Sequence, residues 1–367
     1  KGCKQADLSI SKEYLQKTLI ELLNIASPSG FTDRIAAFVC KTLQECGINF
    51  HPTQRGAIIS TLSGRQNVFD RSIVAHLDTL GAMVKTLKDN GRLAISPVGT
   101  WSSRYAEGAR VTIYSDSGPV RGTVLPLLAS GHIHGDKVDS QPTSWEHVEV
   151  RIDQVCKSAK DLNRIGIEVG DYVAIDSATE ITSTGFINAR HLDDKAGVAI
   201  LLAVAHWYSE NEIELPVDCH LVFTITEEVG SGASAVIDGD TAEMVVLDHA
   251  PVGPGQNAIE DGVTIAMMDL SGPYDIHLSR KLVDLCKVHG ITYAKDIFKH
   301  YRSDSASAIS AGNDTRTALI GFGVDASHGY ERSHISSLLS VAELLGWFIQ
   351  SPPAFKNEND APCTLKE

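Results

Sequence analysis

Ile73-Val74-Ala75-His76-Leu77-Asp78 is the stretch on which the fold turns. Three consecutive apolar residues without polar alternation fit a strand buried on both faces, the kind that belongs to a parallel sheet covered by helices. The run ends in an imidazole and a carboxylate, at the carboxyl end of the strand, where open α/β sheets gather their ligands. Runs of the same kind stand at Leu221-Val222-Phe223, Met244-Val245-Val246-Leu247 and Ala318-Leu319-Ile320. Helical spacing surrounds and separates them. Leu15, Leu19, Leu22 and Leu23 predict a helix from Ser11 to about Asn24, and Ile35, Phe38, Val39 and Leu43 a second one. Further helices are expected over Lys195–Tyr208, Ser279–Val288 and Ile335–Leu345. The predicted fold class is α/β, a mixed, largely parallel sheet flanked by helices.

A different pattern fills the chain from Thr79 to about Asn188. Asn90-Gly91 between Val84–Leu87 and Leu93–Ile95 is a hairpin signal. Short strands follow at Val111–Tyr114, Val120–Val124, Val148–Val150 and Tyr172–Ile175. The expected layout is therefore an α/β domain whose first part is 1–78 and second part 189–350. A small β-rich unit at 79–188 is inserted between them, and 351–367 forms a loosely ordered tail.

The chain of 367 residues is long enough for a large core and a second unit. Its net charge of −14 leaves no basic stripe for nucleic acid. No apolar run reaches a membrane span, and the start, Lys1-Gly2-Cys3-Lys4-Gln5, has neither a signal-peptide apolar region nor an initiator Met, as in a trimmed end. Seven scattered cysteines without a Cys-x-x-Cys pair argue against a disulfide framework or a cysteine zinc site. A reduced, cytoplasmic protein is expected.

Downstream of His76 and Asp78 come Arg190-His191-Leu192-Asp193-Asp194-Lys195, then Glu227-Glu228 and Asp248, then His328 and His334. Each has an ordinary reading alone: a His-x-Asp hydrogen-bonded pair, a helix cap, a solvated turn. Together they place carboxylates and imidazoles at three strand ends, where uncompensated burial would cost several kcal/mol each. Such a nitrogen and oxygen donor set suits two divalent metals, zinc first, cobalt or manganese otherwise, and two metals sharing a carboxylate and a water make a hydrolase. Serine or cysteine nucleophile chemistry lacks its sequence context, since no Gly-x-Ser-x-Gly elbow is present.

The run His76-Leu77-Asp78, Arg190–Gly197, Phe223–Gly230 and Asp248 resembles the glutamyl-aminopeptidase and deblocking-aminopeptidase family of co-catalytic metallopeptidases, from about residue 12 to 350. The resemblance implies two metal ions and an amide-bond hydrolase acting on short peptides. It further implies homo-oligomers, dimers or tetrahedral dodecamers, with the β-rich unit as dimerisation domain. Matched by position, Asp193 would bridge the metals, with His76 and Asp248 completing one site. Glu228 and a C-terminal histidine would complete the other. His328, with Glu331 after it, fits better than the alternative, His334. Asp78 would orient His76, Glu227 would be the general base, and Asp193–Asp194 would be a cis peptide. One departure is Thr79, where many relatives carry a carboxylate.

Gly99–Arg104, Tyr301–Asp304 and Asp325–Arg332 resemble a bacterial subgroup associated with the osmoprotectant N-acetylglutaminylglutamine amide. That implies a narrower alternative, an amidohydrolase of this blocked dipeptide. Arg302, Ser303 and Asp304, with Asn313, Asp314 and Arg316, would then contact substrate amides. A third alternative, of another class, is a non-catalytic assembly protein.

Overall fold

A computed structural model describes residues 8–354. The trimmed start at 1–7 and most of the tail expected to be loose, 355–367, lie outside the described residues.

Among the described residues the larger part is a twelve-stranded sheet. Its centre is four parallel strands in the order Leu215–Thr224, Gly64–His76, Thr241–Val252 and Arg316–Asp325. Each contains one of the four apolar runs, and their side chains between Ile73 and Ala75, Leu221 and Phe223, Met244 and Leu247, and Ala318 and Ile320 are buried. The margins are antiparallel. Ile58–Leu62 and Asn49–Pro52 lie beyond Leu215–Thr224, and Glu331–His334, Phe186–Ala189 and Glu180–Ile181 lie beyond Arg316–Asp325. A branch strand, Val263–Asp269, runs antiparallel to Arg316–Asp325 and parallel to Tyr293–Ile297. The sheet is therefore mixed, and parallel pairing is confined to its centre and that one branch. "Largely parallel" holds only where both faces are apolar.

The helices form where the spacing predicts. Lys12–Leu23 starts at Ser11, whose Oγ accepts from Tyr14 N–H at 3.2 Å, and buries Leu15, Leu19, Leu22 and Leu23. It packs on Leu192–Glu210, the most enclosed helix, whose residues 192–205 are all buried. Asp33–Glu45, which buries Ile35, Val39 and Leu43, adds to the cover with Ile335–Gln350 and Ile276–His289. No helix among the described residues is long and apolar enough to cross a membrane. Cys40, Cys46, Cys156, Cys219 and Cys286 are free.

Between the two halves of the sheet the chain closes a six-stranded barrel from Gly81–Leu87, Leu93–Val98, Arg110–Ser115, Gly118–Pro126, Val148–Ile152 and Tyr172–Ile175. It has its own core of Val84, Leu93, Ile95, Val111, Ile113 and neighbours. Gly91 turns the first hairpin at φ 77°, and a Cβ there would stand 2.3 Å from the Cys156 carbonyl oxygen. The chain enters the barrel just after His76 and Asp78 and leaves it after Ile175, rejoining the margin of the main sheet at Glu180–Ile181 and Phe186–Ala189 before it reaches Asp193.

Candidate metal centre and active site

His76 closes its strand level with Thr224 of the neighbouring parallel strand. Its Nδ1 donates to the Asp78 carbonyl oxygen at 2.8 Å, which can only accept. Nε2 is thereby left to face Asp193 Oδ1 at 3.0 Å. Its main-chain N–H donates to Asp194 Oδ2 at 3.1 Å. Asp193 and Asp194 are joined by a cis peptide and have non-helical dihedrals, so the helix that follows is regular only from Lys195. Gly197 makes room for this turn, because a Cβ there would stand 2.2 Å from Asp194 Oδ1.

The Asp78 main-chain carbonyl is the nearer partner of the His76 ring, and the Asp78 carboxylate stands 3.6 Å from Nδ1, an ion-pair distance. Its two oxygens accept from the N–H groups of Glu227 (3.1 Å) and Glu228 (3.2 Å) and from the Ser29 hydroxyl. Asp78 therefore fixes the turn that carries both glutamates.

His328 sits in the left-handed region at φ 65°, a conformation that needs support from its surroundings. Glu331 supplies it: one carboxylate oxygen accepts from His328 N–H at 2.9 Å and the other from Asp193 N–H at 3.2 Å. The Thr100 carbonyl receives His328 Nδ1 at 3.1 Å, so Nε2 points inward, 3.2 Å from Asp193 Oδ2 and 3.7 Å from Glu228 Oε2. His334 is placed elsewhere. Its ring contacts the Thr184 carbonyl at 2.9 Å and Ser336 Oγ at 2.6 Å, at the start of the last helix.

Asp248 lies inside its strand, which continues to Val252, rather than at the strand end. Pairing with Gly64–His76 stops at Val246, so Asp248 is nonetheless free at the edge beside His76. Two donor triads result, His76–Asp193–Asp248 and Asp193–Glu228–His328, each with its ligand atoms within 4.8 Å of one another. Asp193 is common to both.

The charges need a counterweight. Burial, then Asp193, raise the Glu228 carboxyl well above its ordinary range. Burial, then Asp248, do the same to Asp194. For Asp193 burial acts upward, but His249, His328 and His76 outweigh it and hold the carboxyl well below its usual value. Glu228 Oε1 is buried without a hydrogen-bond partner among the described residues. An orphaned acceptor beside a nitrogen and oxygen donor set fits divalent cations.

Glu227 is outside both triads. Its Oε2 is 3.9 Å from His76 Nε2, and burial, with help from Asp248, raises its carboxyl. It lines a cleft of about 380 Å³ with Asp193, Asp248, His249, Tyr301 and Arg302. A larger cavity of about 820 Å³, between the barrel and the first helix, contains no member of either triad.

Of the residues expected to contact substrate, Arg302 lines the cleft and Ser303 and Asp304 do not. Ser303 Oγ caps a short helix by accepting from Ser305 N–H, and Asp304 is buried. Its oxygens accept from Thr224 Oγ1 at 2.6 Å and Ala233 N–H at 2.8 Å. Asn313 donates to the Ala308 carbonyl and Arg316 to Asp275. Each of these two side chains thus has a partner within the chain. Sequence reasoning missed His249, whose Nδ1 lies 3.1 Å from Asp193 Oδ2. The only signal for it was adjacency to Asp248.

Comparison with known proteins agrees with this geometry. The family model of M42 glutamyl aminopeptidase matches residues 56–344. A protein of Bacillus subtilis (strain 168) named "Putative aminopeptidase YhfE" is 40% identical over 333 residues, 90% of this chain and 96% of its own. Among solved structures, aminopeptidase APDkam598 from Desulfurococcus kamchatkensis superposes with a TM-score of 0.86 at 20% identity, covering 97% of this chain and 99% of its own. The TET1 peptidase of Pyrococcus horikoshii, described as assembling into a tetrahedron or a large octahedral shell, has a TM-score of 0.81 at 19% identity, covering 91% of this chain and 99% of its own. These two likenesses speak for the fold. The matched model and the Bacillus relative show more: this chain belongs to the M42 glutamyl aminopeptidase family of metallopeptidases.

Proposed function

We propose that the chain is a two-metal aminopeptidase that shortens small peptides from their free amino end. The observation that carries this reading is the pair of donor triads sharing Asp193. His76 and Asp248 would hold one ion with Asp193, and Glu228 and His328 the other. Zinc is the first choice for this donor set, with cobalt or manganese possible. Such ions, when bound, acidify a water and polarise a carbonyl. Glu227 is the general base: its Oε2 takes the proton of the attacking water and passes it to the nitrogen of the leaving amine. Asp78 holds the Glu227 main chain in place, and Glu331 holds His328 and Asp193.

The test is Glu227→Gln. Metal content should match the wild type, while turnover of short peptides falls by a factor of roughly 10²–10⁴. If the variant loses metal, Glu227 and Glu228 exchange roles. A peptide panel that includes N-acetylglutaminylglutamine amide separates the general reading from the narrow one. Free-amine dipeptides should be cleaved faster, since only Arg302 of the side chains assigned to substrate amides reaches the cleft.

The barrel contributes none of the triad residues. In this reading it is the dimerisation unit of a cytoplasmic homo-oligomer, a dimer or a dodecamer, and light scattering should show the assembly. A fully active monomer would remove that assignment.

A further inference from the structure

We propose that His249 is a positioning residue, which through Nδ1 holds the carboxylates of Asp193 and Asp248 in the arrangement that binds metal. This rests on the two-metal reading above. The ring nitrogen lies 3.1 Å from Asp193 Oδ2 and 3.0 Å from Asp248 Oδ1. The main-chain N–H of His249 donates to that same Asp248 oxygen at 2.6 Å. One residue thus ties the shared carboxylate, at the start of a helix, to a carboxylate on the central sheet.

The orientation of the ring distinguishes it from the two triad histidines. In His76 and His328, Nδ1 is bound to a main-chain carbonyl and Nε2 faces the carboxylates. In His249 the order is reversed, and every polar contact of the ring among the described residues is made through Nδ1. The ring is buried and packs edge-on against Tyr301, with centroids 5.2 Å apart and planes at 70°. Tyr301 thus flanks the ring on one side while Nδ1 faces the two carboxylates. His328 Nε2 also stands 3.2 Å from Asp193 Oδ2, so His249 and His328 approach the same oxygen from two segments. Partners that orient a ligand carboxylate set its rotamer and its basicity.

The test uses three variants of the full chain. His249→Asn keeps a nitrogen donor near the place of Nδ1, His249→Gln places one nearer Nε2, and His249→Ala keeps neither. Zinc dissociation constants come from competition with a chromogenic chelator, stoichiometry from elemental analysis, and the fold from melting of the metal-free proteins. The expected result is zinc binding weakened about 10–100-fold in the Ala and Gln variants and restored to within about threefold of wild type in the Asn variant. If the Ala variant fails to fold, the Asn and Gln pair decides alone. Unchanged binding in the Gln variant, or equal losses in Asn and Gln, would overturn the proposal. So would a drop to a single ion per chain in the Asn variant, which would make His249 a ligand. A wild-type chain that binds no zinc would sink the two-metal reading itself, whereas normal binding by all the variants sinks only this inference.

Discussion

The carboxylate of Asp78 grips the main chain of Glu227, Oδ1 accepting from its N–H at 3.1 Å while Oδ2 accepts from the next N–H at 3.2 Å. The turn bearing the proposed base is therefore held by a residue 149 positions earlier. In Asp78→Asn an amide NH₂ would face one of those N–H groups. A buried donor left unsatisfied costs about 1–3 kcal/mol. We expect a lower melting temperature and reduced kcat, with metal content intact, because the Asp78 carbonyl still orients His76. Selective loss of one metal ion in this variant would show that the carboxylate acts through His76 after all.

The two C-terminal histidines should separate cleanly. His328→Ala should weaken one ion and spare the other, since His328 faces Asp193 and Glu228. His334→Ala should leave metal stoichiometry unchanged and cost about 1 kcal/mol of stability, the effect of a lost helix cap. That cap is seen in His334 Nδ1 accepting from Ser336 N–H at 3.2 Å. Metal loss on His334→Ala would reverse the assignment.

Away from the site, the buried pair Arg71–Glu243, at 3.2 Å, anchors the end of the last helix, with Arg71 also donating to the Phe348 carbonyl. Glu243→Gln leaves the guanidinium uncompensated and should destabilise by about 3–5 kcal/mol in denaturant titration. A change below about 1 kcal/mol would mean that the Phe348 contacts suffice.

Lys281 lies 3.8 Å from the same glutamate, and burial pushes its ammonium down from 10.5 to about 7. The folded chain then releases a proton that the unfolded chain keeps, so this group adds stability as pH rises from about 7 towards 10.5. Comparing wild type with Lys281→Met across that window should show the steeper rise in the wild type, since buried Lys195, also lowered to about 7, contributes equally to both. Parallel curves would contradict it.

What the sequence revealed follows from how locally each signal is encoded. The four central strands are buried on both faces, so their apolar runs are continuous and legible one strand at a time. The strand Val263–Asp269 is also apolar, yet its outer neighbour Tyr293–Ile297 is half polar, and an edge of that kind leaves little pattern. The triad residues were legible because a metal site needs particular side chains, and His76 and Asp248 directly follow apolar runs. The hydrogen bonds between them were not. Whether Asp78 touches His76 or the Glu227 turn depends on packing between distant segments. Ser303 and Asp304 adjoin Arg302, but the short helix they begin turns their side chains inward while Arg302 stays at the cleft. His249 was hidden for the complementary reason: sequence does not tell which of two adjacent strand residues reaches across to Asp193.

Everything proposed about catalysis depends on one carboxylate serving two cations. Elemental analysis of purified wild type and Asp193→Ala, after equilibration with zinc and removal of excess, tests this directly. The account predicts two ions per wild-type chain and the loss of both in the variant, with the metal-free fold preserved. An Asp193→Ala chain that keeps both ions would contradict it.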